Sequence, residues 1–312
     1  MPKLLSKILL ASTLLAPVAA LAEVDYPVDT VRVFVPAKPG GGTDAGARLF
    51  AEFFEKHSDA TVAIVNQPGG GGVIAAQSVA RGAEDGSVLL FFHAALHTAN
   101  LFGQSPFAWN SFTPLATTSA VNEVYAVRAD APYANMEEFI AYAKAHPGEL
   151  SVGSQLGGTT QVKGEAINAA TGGSLRIVDA GTEADRTTAL LGEQVDVISM
   201  SVANAKQYAE DGQMNVLAVL NSEPDPAAPE FPTTADVGMD FSLPLTMTVY
   251  GPEGVDASVS EAFEAIVAEI AADPTYAERL ASQAQVPALR GPADAAVFLE
   301  AENKTIAGLL AE

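Results

Sequence analysis

Short apolar runs alternate with amphipathic stretches along most of this chain. Residues 31–36, 61–66 and 87–93 are rich in Val, Ile, Leu and Phe, which predicts β-strands. Between these runs, residues 43–57 and 73–82 place apolar side chains on one face at helical spacing. Apolar strands that alternate with amphipathic helices predict a mainly parallel sheet flanked by helices.

A second alternating unit follows a long extended run at 115–129, which is interrupted near 119–122. A strand of this length could cross between two domains. The unit continues with predicted helices over 135–146, 160–172, 183–193 and 202–212 and predicted strands over 150–154, 174–179, 194–200 and 215–220. A loop at 221–238, a strand at 246–251 and helices at 258–272 and 274–283 are predicted to finish the chain.

This organisation predicts an α/β protein with two domains, each a mainly parallel sheet flanked by helices. Domain I is expected to comprise residues 23–122 plus 224–312, and domain II residues 123–223. The polypeptide would then cross between the domains twice, and a ligand cleft would lie between them.

The first 22 residues have the order of a secretory signal peptide. Lys3 and Lys7 come first, an apolar run spans 8–18, and small residues lead up to Ala22. The apolar run is too short to span a bilayer comfortably, and no later segment reaches about 18 uninterrupted apolar residues. We therefore expect cleavage after Ala22 and a mature protein that is exported and soluble.

Acidic residues dominate the charge. The chain has a formal net charge of −22, which becomes −24 when the two lysines of residues 1–22 are removed. Such a surface repels nucleic acid and anionic membranes, and solubility is the simplest explanation for it. It also opposes long-range attraction of anions, so any anion site must rely on local donors. The chain has no cysteine, which excludes disulfides and thiolate chemistry.

Glycine clusters stand at three junctions between a predicted strand and a predicted helix, at 38–43, 69–72 and 153–161. Glycine lets a ligand approach the backbone closely, and the helix N-terminus that follows offers unpaired N–H groups to an anion. Ordinary turn chemistry explains one such junction. Three of them, in two halves of the chain, favour a binding cleft. The third cluster is richest in donors, with Ser154, Thr159, Thr160 and Gln161.

Sequence motifs for nucleotide binding and catalysis are missing. The glycine clusters match neither the phosphate-loop nor the dinucleotide-binding pattern, and no G-x-S-x-G occurs. His93 and His97 are four residues apart, but they are placed at a strand end and the loop after it, without a third metal ligand. We therefore expect no catalytic residue, no metal and no cofactor, and interpret His93 as a donor lining the cleft.

Five segments occur in a characteristic order: 36-PAKPGGGTD-44, 66-NQPGGGG-72, 85-DGSVLL-90, 151-SVGSQLGGTTQVKGE-165 and 190-LLGEQVD-196. Together they resemble the motifs of the solute-binding receptors of tripartite tricarboxylate transporters, also called the Bug family. The resemblance covers nearly the whole mature chain. It implies a two-domain periplasmic binding protein of the type II fold, which closes around a small di- or tricarboxylate.

The resemblance also implies which residues bind the ligand, because the family holds a carboxylate with the first glycine turn and the domain II glycine loop. The implied residues of this chain are Gly40, Gly41, Thr43, Asp44, Ser154, Gly158, Thr159 and Thr160. Gln161 replaces the family's histidine, and Lys163 replaces a small residue. Residues 93–97 replace a small hydroxylated cluster. Lys38 and His93 favour a ligand with a second carboxylate, although Lys38 could equally be a solvated loop residue.

The partners implied by the resemblance are the small carboxylate and the large and small integral-membrane subunits of a transporter. No nucleic acid is expected, and the receptor is expected to be a monomer in the periplasm. Two alternatives remain open at this point. One is a secreted α/β enzyme that acts on a small carboxylate in the same cleft, and the other is a sensory receptor that docks on a membrane kinase.

Overall fold

The computed structural model describes residues 23–311, so the predicted signal peptide lies outside the described residues. The first part of the chain alternates strands and helices: β1 (Thr30–Val35), α1 (Gly42–His57), β2 (Thr61–Asn66), α2 (Val73–Val79), β3 (Val88–Phe92) and α3 (Ala95–Leu101). The long extended run then divides at Asn122 into β4 (Thr113–Val121) and β5 (Glu123–Arg128).

The middle and the end of the described chain continue the alternation. The middle contains α4 (Met136–Ala145), β6 (Ser151–Ser154), α5 (Thr159–Ala170), β7 (Arg176–Asp179), α6 (Glu183–Leu191), β8 (Val197–Ser201), α7 (Val202–Glu210) and β9 (Met214–Val219). The end contains β10 (Leu245–Gly251), α8 (Ala257–Ala272), α9 (Pro274–Ala281), β11 (Val286–Arg290) and α10 (Pro292–Ala311).

These strands form two sheets. The six-stranded sheet has the order β11-β4-β10-β3-β1-β2, and the five-stranded sheet has the order β7-β6-β8-β5-β9. We call the first sheet with α1–α3 and α8–α10 the first half, and the second sheet with α4–α7 the second half. The expected α/β class, with two sheets flanked by helices, is confirmed, and the long run at 115–129 does cross from one sheet to the other.

The sheets are mixed, however, and the expectation of mainly parallel sheets was wrong. β1 pairs parallel with β2 and β3, whereas β10 is antiparallel to both β3 and β4. In the second sheet β5 is antiparallel to β8 and β9. β5 and β10 are the strands that arrive from the opposite half. Each begins at the edge where the parallel strands of the sheet that it joins have their carboxyl ends. It therefore runs antiparallel to those strands.

The pairing register shows that the carboxyl ends of the parallel strands in the two sheets lie next to the two crossings. Glu123, the first residue of β5, is paired with Ser201, the last residue of β8. Leu245, the first residue of β10, is paired with Val121, the last residue of β4. The carboxyl ends of the parallel strands in both sheets therefore converge on the two crossings. In α/β proteins, this edge of a sheet is where ligands bind.

Aromatic side chains form the core of the first half. Phe50 and Phe54 of α1 are four residues apart, so they lie on one helix face and both meet Phe263 of α8. The Phe54 and Phe263 ring centroids are 5.4 Å apart. Burial of a side chain of this size contributes roughly 1.5–3 kcal/mol. The core of the second half is built around Tyr125 and Phe139, both fully buried.

Two further sequence expectations were wrong in detail. Residues 95–101 form α3, so His97 lies on a helix and not in a loop. Helices α8 and α9 do not finish the chain, because β11 and α10 follow them. β11 pairs with β4 at the edge of the first sheet, and α10 packs against α5 of the second half. None of the helices within residues 23–311 combines the length and the hydropathy that a membrane span requires.

Candidate functional site

The turn after β1 is held in shape by a buried carboxylate. Asp44 accepts hydrogen bonds from the Gly40 N–H (2.8 Å) and Asn66 Nδ2 (2.7 Å), and it pairs with Arg48 Nε at 2.9 Å. Burial opposes ionisation of Asp44, but the hydrogen bonds from Arg48, Gly40 and Asn66 outweigh it and lower the pKa of this carboxyl. Asp44 thus uses the Gly40 N–H, which the family resemblance assigned to the ligand.

The remainder of this first turn is open to the edge of the sheet. Lys38 is exposed, and Gly40 has a φ of +83°, which favours glycine. Gly41 is the N-cap of α1 and supplies no side-chain hydrogen bond, so the N–H groups at the start of the helix have no side-chain cap. The partly buried Thr43 follows in the first helical turn.

The loop after β6 also uses much of its own hydrogen-bonding capacity. Ser154 Oγ donates to the Thr160 carbonyl at 3.1 Å, and Thr160 Oγ1 accepts from the Gln155 N–H at 2.8 Å. Gln161 Oε1 accepts from the Gly157 N–H at 2.7 Å. The side chains of Ser154, Thr160 and Gln161 therefore shape the loop, and the start of α5 is left to face the opposite half.

This second loop touches the first half directly. Gly157 has a φ of +74°, and a Cβ atom at this position would overlap Gln104 Nε2, just beyond α3. Gly158 is the extended N-cap of α5 and supplies no side-chain hydrogen bond. Thr159 then opens the helix. Glycine at position 157 is therefore favoured by the backbone conformation, and the flexible Gln104 side chain of the first half lies directly against it.

His93 lies at the end of β3, beside the start of α3. Its Nδ1 accepts a hydrogen bond from the Ala95 N–H at 3.2 Å. Burial, reinforced by Lys163 and His97, lowers the pKa of His93 to about 3, although part of the ring surface remains exposed. The ring is therefore neutral near pH 7 and acts as an acceptor for the helix.

A buried ion pair stands in the second half where it faces the first. Lys163 of α5 pairs with Glu123, the first residue of β5, and both side chains are less than one-tenth exposed. The Tyr125 hydroxyl donates to the Lys163 carbonyl at 2.5 Å. Burial, with Arg186 acting in the same direction, lowers the pKa of Lys163 to about 7, while Glu302 opposes that shift.

Glu302 of α10 faces this pair from the first half. Its side chain is only 4% exposed, and its Oε2 lies 3.0 Å from His97 Nε2. The two atoms are close, but neither has a hydrogen-bond partner, so the angle between them does not suit a hydrogen bond. His97 Nδ1 is also buried without a partner. Two buried polar side chains are therefore incompletely satisfied at the boundary between the halves.

A narrow pocket lies at this boundary. α3, α5, α10 and the segment before β10 supply its walls. The lining residues are Ala94, Thr98, Thr159, Val162, Lys163, Leu243, Pro244, Leu245, Glu302 and Ile306. The walls are thus mainly apolar, and two side chains of opposite charge interrupt them.

The predicted ligand residues fall into two groups that the fold places on converging sheet edges. The first turn carries Lys38, Gly40, Gly41, Thr43 and Asp44, and the second loop carries Ser154, Gly158, Thr159, Thr160 and Gln161. Within residues 23–311, no hydrogen bond joins one group to the other. Thr159 lines the pocket at the boundary, and His93 is next to the lining residue Ala94.

Sequence reasoning omitted Glu123, Lys163 and Glu302 from the candidate ligand residues. Lys163 was noted as a departure from the family pattern, and it sits among the buried positions Val162 and Ala166 of α5. A charged residue on an otherwise apolar helix face is the signal from which its place in the pocket could have been predicted. Glu302 gives the same signal between the buried Leu299 and Ile306 of α10, but that helix was not predicted.

The fold and the converging loops define a two-half α/β binding protein, and comparison with known proteins specifies the family. Residues 47–308 match the model of the tripartite tricarboxylate transporter family receptor. The chain therefore belongs to this family, as the sequence motifs indicated. It is 29% identical to a UPF0065 protein of Bordetella pertussis, over 89% of this chain and 87% of that protein. Protein BugT of the same organism is 25% identical, over 95% of this chain and 93% of BugT.

Solved structures agree with this assignment. A TctC solute-binding protein from Polaromonas is similar with a TM-score of 0.81 and 26% identity, over 91% of this chain and 99% of that one. MatC from Rhodopseudomonas palustris, solved with bound malate, gives a TM-score of 0.73 and 26% identity over 91% and 99% of the two chains. Rpa4515 of R. palustris, solved with adipate, gives 0.73 and 26% over 90% and 96%.

Proposed function

We propose that this protein is an exported receptor that captures a small di- or tricarboxylate between its two halves and delivers it to a membrane transporter. The observation that carries the proposal is the convergence of both sheet edges, with their glycine turns and helix N-termini, on the two crossings. Membership of the transporter-receptor family supports it, as do the malate and adipate bound by two structural relatives.

Backbone groups are the proposed carboxylate donors. The start of α1, after Gly41, and the start of α5, after Gly158, both lack a side-chain cap. Each helix N-terminus carries partial positive charge and unpaired N–H groups, which favour an anion. Binding of this kind needs no covalent step and no cofactor, and it suits an acidic protein whose long-range field repels anions.

The two halves are proposed to be domains that move relative to each other. Residues 23–122 plus 224–312 form domain I, and residues 123–223 form domain II. Ligand binding closes the cleft by a hinge movement at the crossings. The closed monomer then docks on the large and small membrane subunits in the periplasm, after cleavage of the leader behind Ala22.

A thermal-shift screen tests this proposal. The protein is unfolded and refolded to remove any co-purified ligand, then melted with a panel of di- and tricarboxylates and with neutral analogues as controls. A ligand at about 100 times its dissociation constant stabilises the folded state by about 2.7 kcal/mol. A clear shift with a carboxylate and none with its neutral analogue is expected. No shift with any carboxylate would overturn the proposal.

A further inference from the structure

The pocket between α5 and α10 has the composition of a ligand site. Most of its wall is apolar, with Val162, Leu243 and Ile306 among the lining residues. Lys163 from the second half and Glu302 from the first half are its charged members. A site of this composition suits a small molecule whose polar groups reach specific partners and whose carbon skeleton contacts the apolar wall.

Lys163 can serve a carboxylate in this pocket. An ammonium group has three donors, and Glu123 is its buried salt-bridge partner. Arg186, the other buried cation nearby, directs its guanidinium to the carbonyl oxygens of Ser199 and Gly181. Lys163 is therefore the cation placed on the pocket wall, within one helical turn of Thr159 at the start of α5.

Glu302 needs a partner that donates a hydrogen bond, whereas Lys163 needs one that accepts it. An ionised carboxylate is acceptor-only, and Glu302 Oε2 is buried without a donor because the nearby His97 ring is misaligned. Leaving such an oxygen unsatisfied is costly. The ligand group that contacts Glu302 must therefore carry a hydrogen-bond donor, and a dicarboxylate without further substituents has none at neutral pH.

We infer that the ligand is a carboxylate that also carries a hydroxyl or ammonium group, with Lys163 binding a carboxylate and Glu302 accepting from the donor group. This inference rests on the proposed receptor function. The space between the walls is narrow in this structure. The ligand therefore enters when the halves separate, and its donor replaces the misaligned His97 contact as they close.

Three four-carbon diacids test the inference on the intact, refolded protein. Succinate, malate and aspartate share one carbon skeleton. Succinate has no hydrogen-bond donor beside its carboxylates, malate has a hydroxyl group there, and aspartate has an ammonium group. Isothermal titration calorimetry gives the dissociation constant of each. Because a hydrogen bond to a charged group is a strong one, we expect malate or aspartate to bind roughly 10–100 times more tightly than succinate.

The variant Glu302→Gln should reduce this preference about tenfold or more, because it removes the charge that strengthens the hydrogen bond from the donor group of malate or aspartate. Glu300→Gln makes the same change on the exposed side of α10 and is the matched control. Melting curves without ligand show whether each variant is folded. If Glu302→Gln does not fold, the wild-type series alone decides.

The outcomes separate the inference from the function on which it rests. Equal affinity for succinate, malate and aspartate overturns the inference and leaves the receptor function standing. A preference that Glu302→Gln retains overturns the role of Glu302. If no carboxylate binds, in this series or in the wider panel, the proposed function itself fails.

Discussion

At the residue scale, carboxylates of the protein itself accept hydrogen bonds from backbone N–H groups beside helix N-termini. Asp44 accepts from the Gly40 N–H at the start of α1, and Glu183 accepts from the Ser201 N–H and Asn204 Nδ2 at the start of α7. A chain with this many acids can fill anion sites internally. A sequence motif predicts that such donors exist, but it does not say whether a ligand or a side chain will use them.

Asp44→Asn tests the role of this carboxylate in the first turn. We expect a loss of about 1–3 kcal/mol of unfolding free energy at pH 7, because a buried charge-assisted network is broken. The lowered pKa means that the contribution is present above the ordinary value of 3.8 and is lost as pH falls through the folded-state value. Denaturant unfolding at pH 7 and pH 3 measures both effects. Asp211→Asn, at an exposed position after α7, is the control, and equal losses in the two variants would contradict this role.

His93→Asn tests the buried imidazole. The unfolded ring titrates near 6.5 and the folded ring near 3, so the unfolded state binds the extra proton between these values. Stability is therefore lost as pH falls from 6.5 towards 3, by roughly 2–4 kcal/mol when the partly exposed ring surface is allowed for. Asn can still accept from the Ala95 N–H.

Denaturant unfolding from pH 7 to pH 4 should show a shallower loss in His93→Asn than in the wild type. His146→Asn, at the end of α4, is the matched control for the loss of an imidazole. Parallel curves for the wild type and His93→Asn would show that protonation of His93 is not linked to unfolding.

At the element scale, periodicity predicted most strands and helices but missed α3, β11 and the 20-residue helix α10. The buried stripe of this helix contains Ala295, Glu302 and Ile306, and Val297 is 69% exposed. A small residue and an acid on the buried face, with a valine facing solvent, mask the amphipathic pattern. The placement of Lys163 and Glu302 in the walls of one pocket could not be predicted for the same reason, since it needs a tertiary contact of α5 with an unpredicted helix.

The glycine turns, by contrast, were predictable because glycine marks backbone conformations that other residues avoid. Gly71 and Gly72 both have positive φ between β2 and α2, at +62° and +99°. A Cβ atom at Gly72 would overlap the Phe92 ring, whereas one at Gly71 would meet nothing within 4 Å. The sequence shows the turn, but only the packed structure shows which glycine also faces β3.

Gly72→Ala should therefore be much more damaging than Gly71→Ala. Backbone strain alone costs about 1–2 kcal/mol in each variant. At position 72 the steric conflict with Phe92 adds roughly 1–3 kcal/mol, because this close-packed core cannot shift freely. Thermal unfolding of the two variants side by side measures the difference. Equal melting temperatures would show that Phe92 moves aside without cost.

At the scale of the whole molecule, the two crossings join the halves through a small polar network. Asn122 stands between β4 and β5, and its Nδ2 donates to Asp225 Oδ2 at 2.9 Å. Asn221, at the second crossing, donates to Asn122 Oδ1 at 3.3 Å. Both crossings therefore meet at one point, and this is where the proposed hinge movement would take place.

The net charge of the molecule determines how its affinity for a carboxylate should depend on salt. The full chain carries −22, so its field opposes the approach of an anionic ligand at distances where local donors exert little force. Salt shortens the reach of this field from about 30 Å at 0.01 M to about 10 Å at 0.1 M, while buried contacts are screened much less. Affinity for a carboxylate should therefore rise roughly 2–5-fold over this range. Calorimetry in sodium chloride, repeated in sodium fluoride to detect competition by chloride, measures it. Affinity that falls in both salts would mean that attraction to exposed cations such as Lys38 outweighs the acidic field.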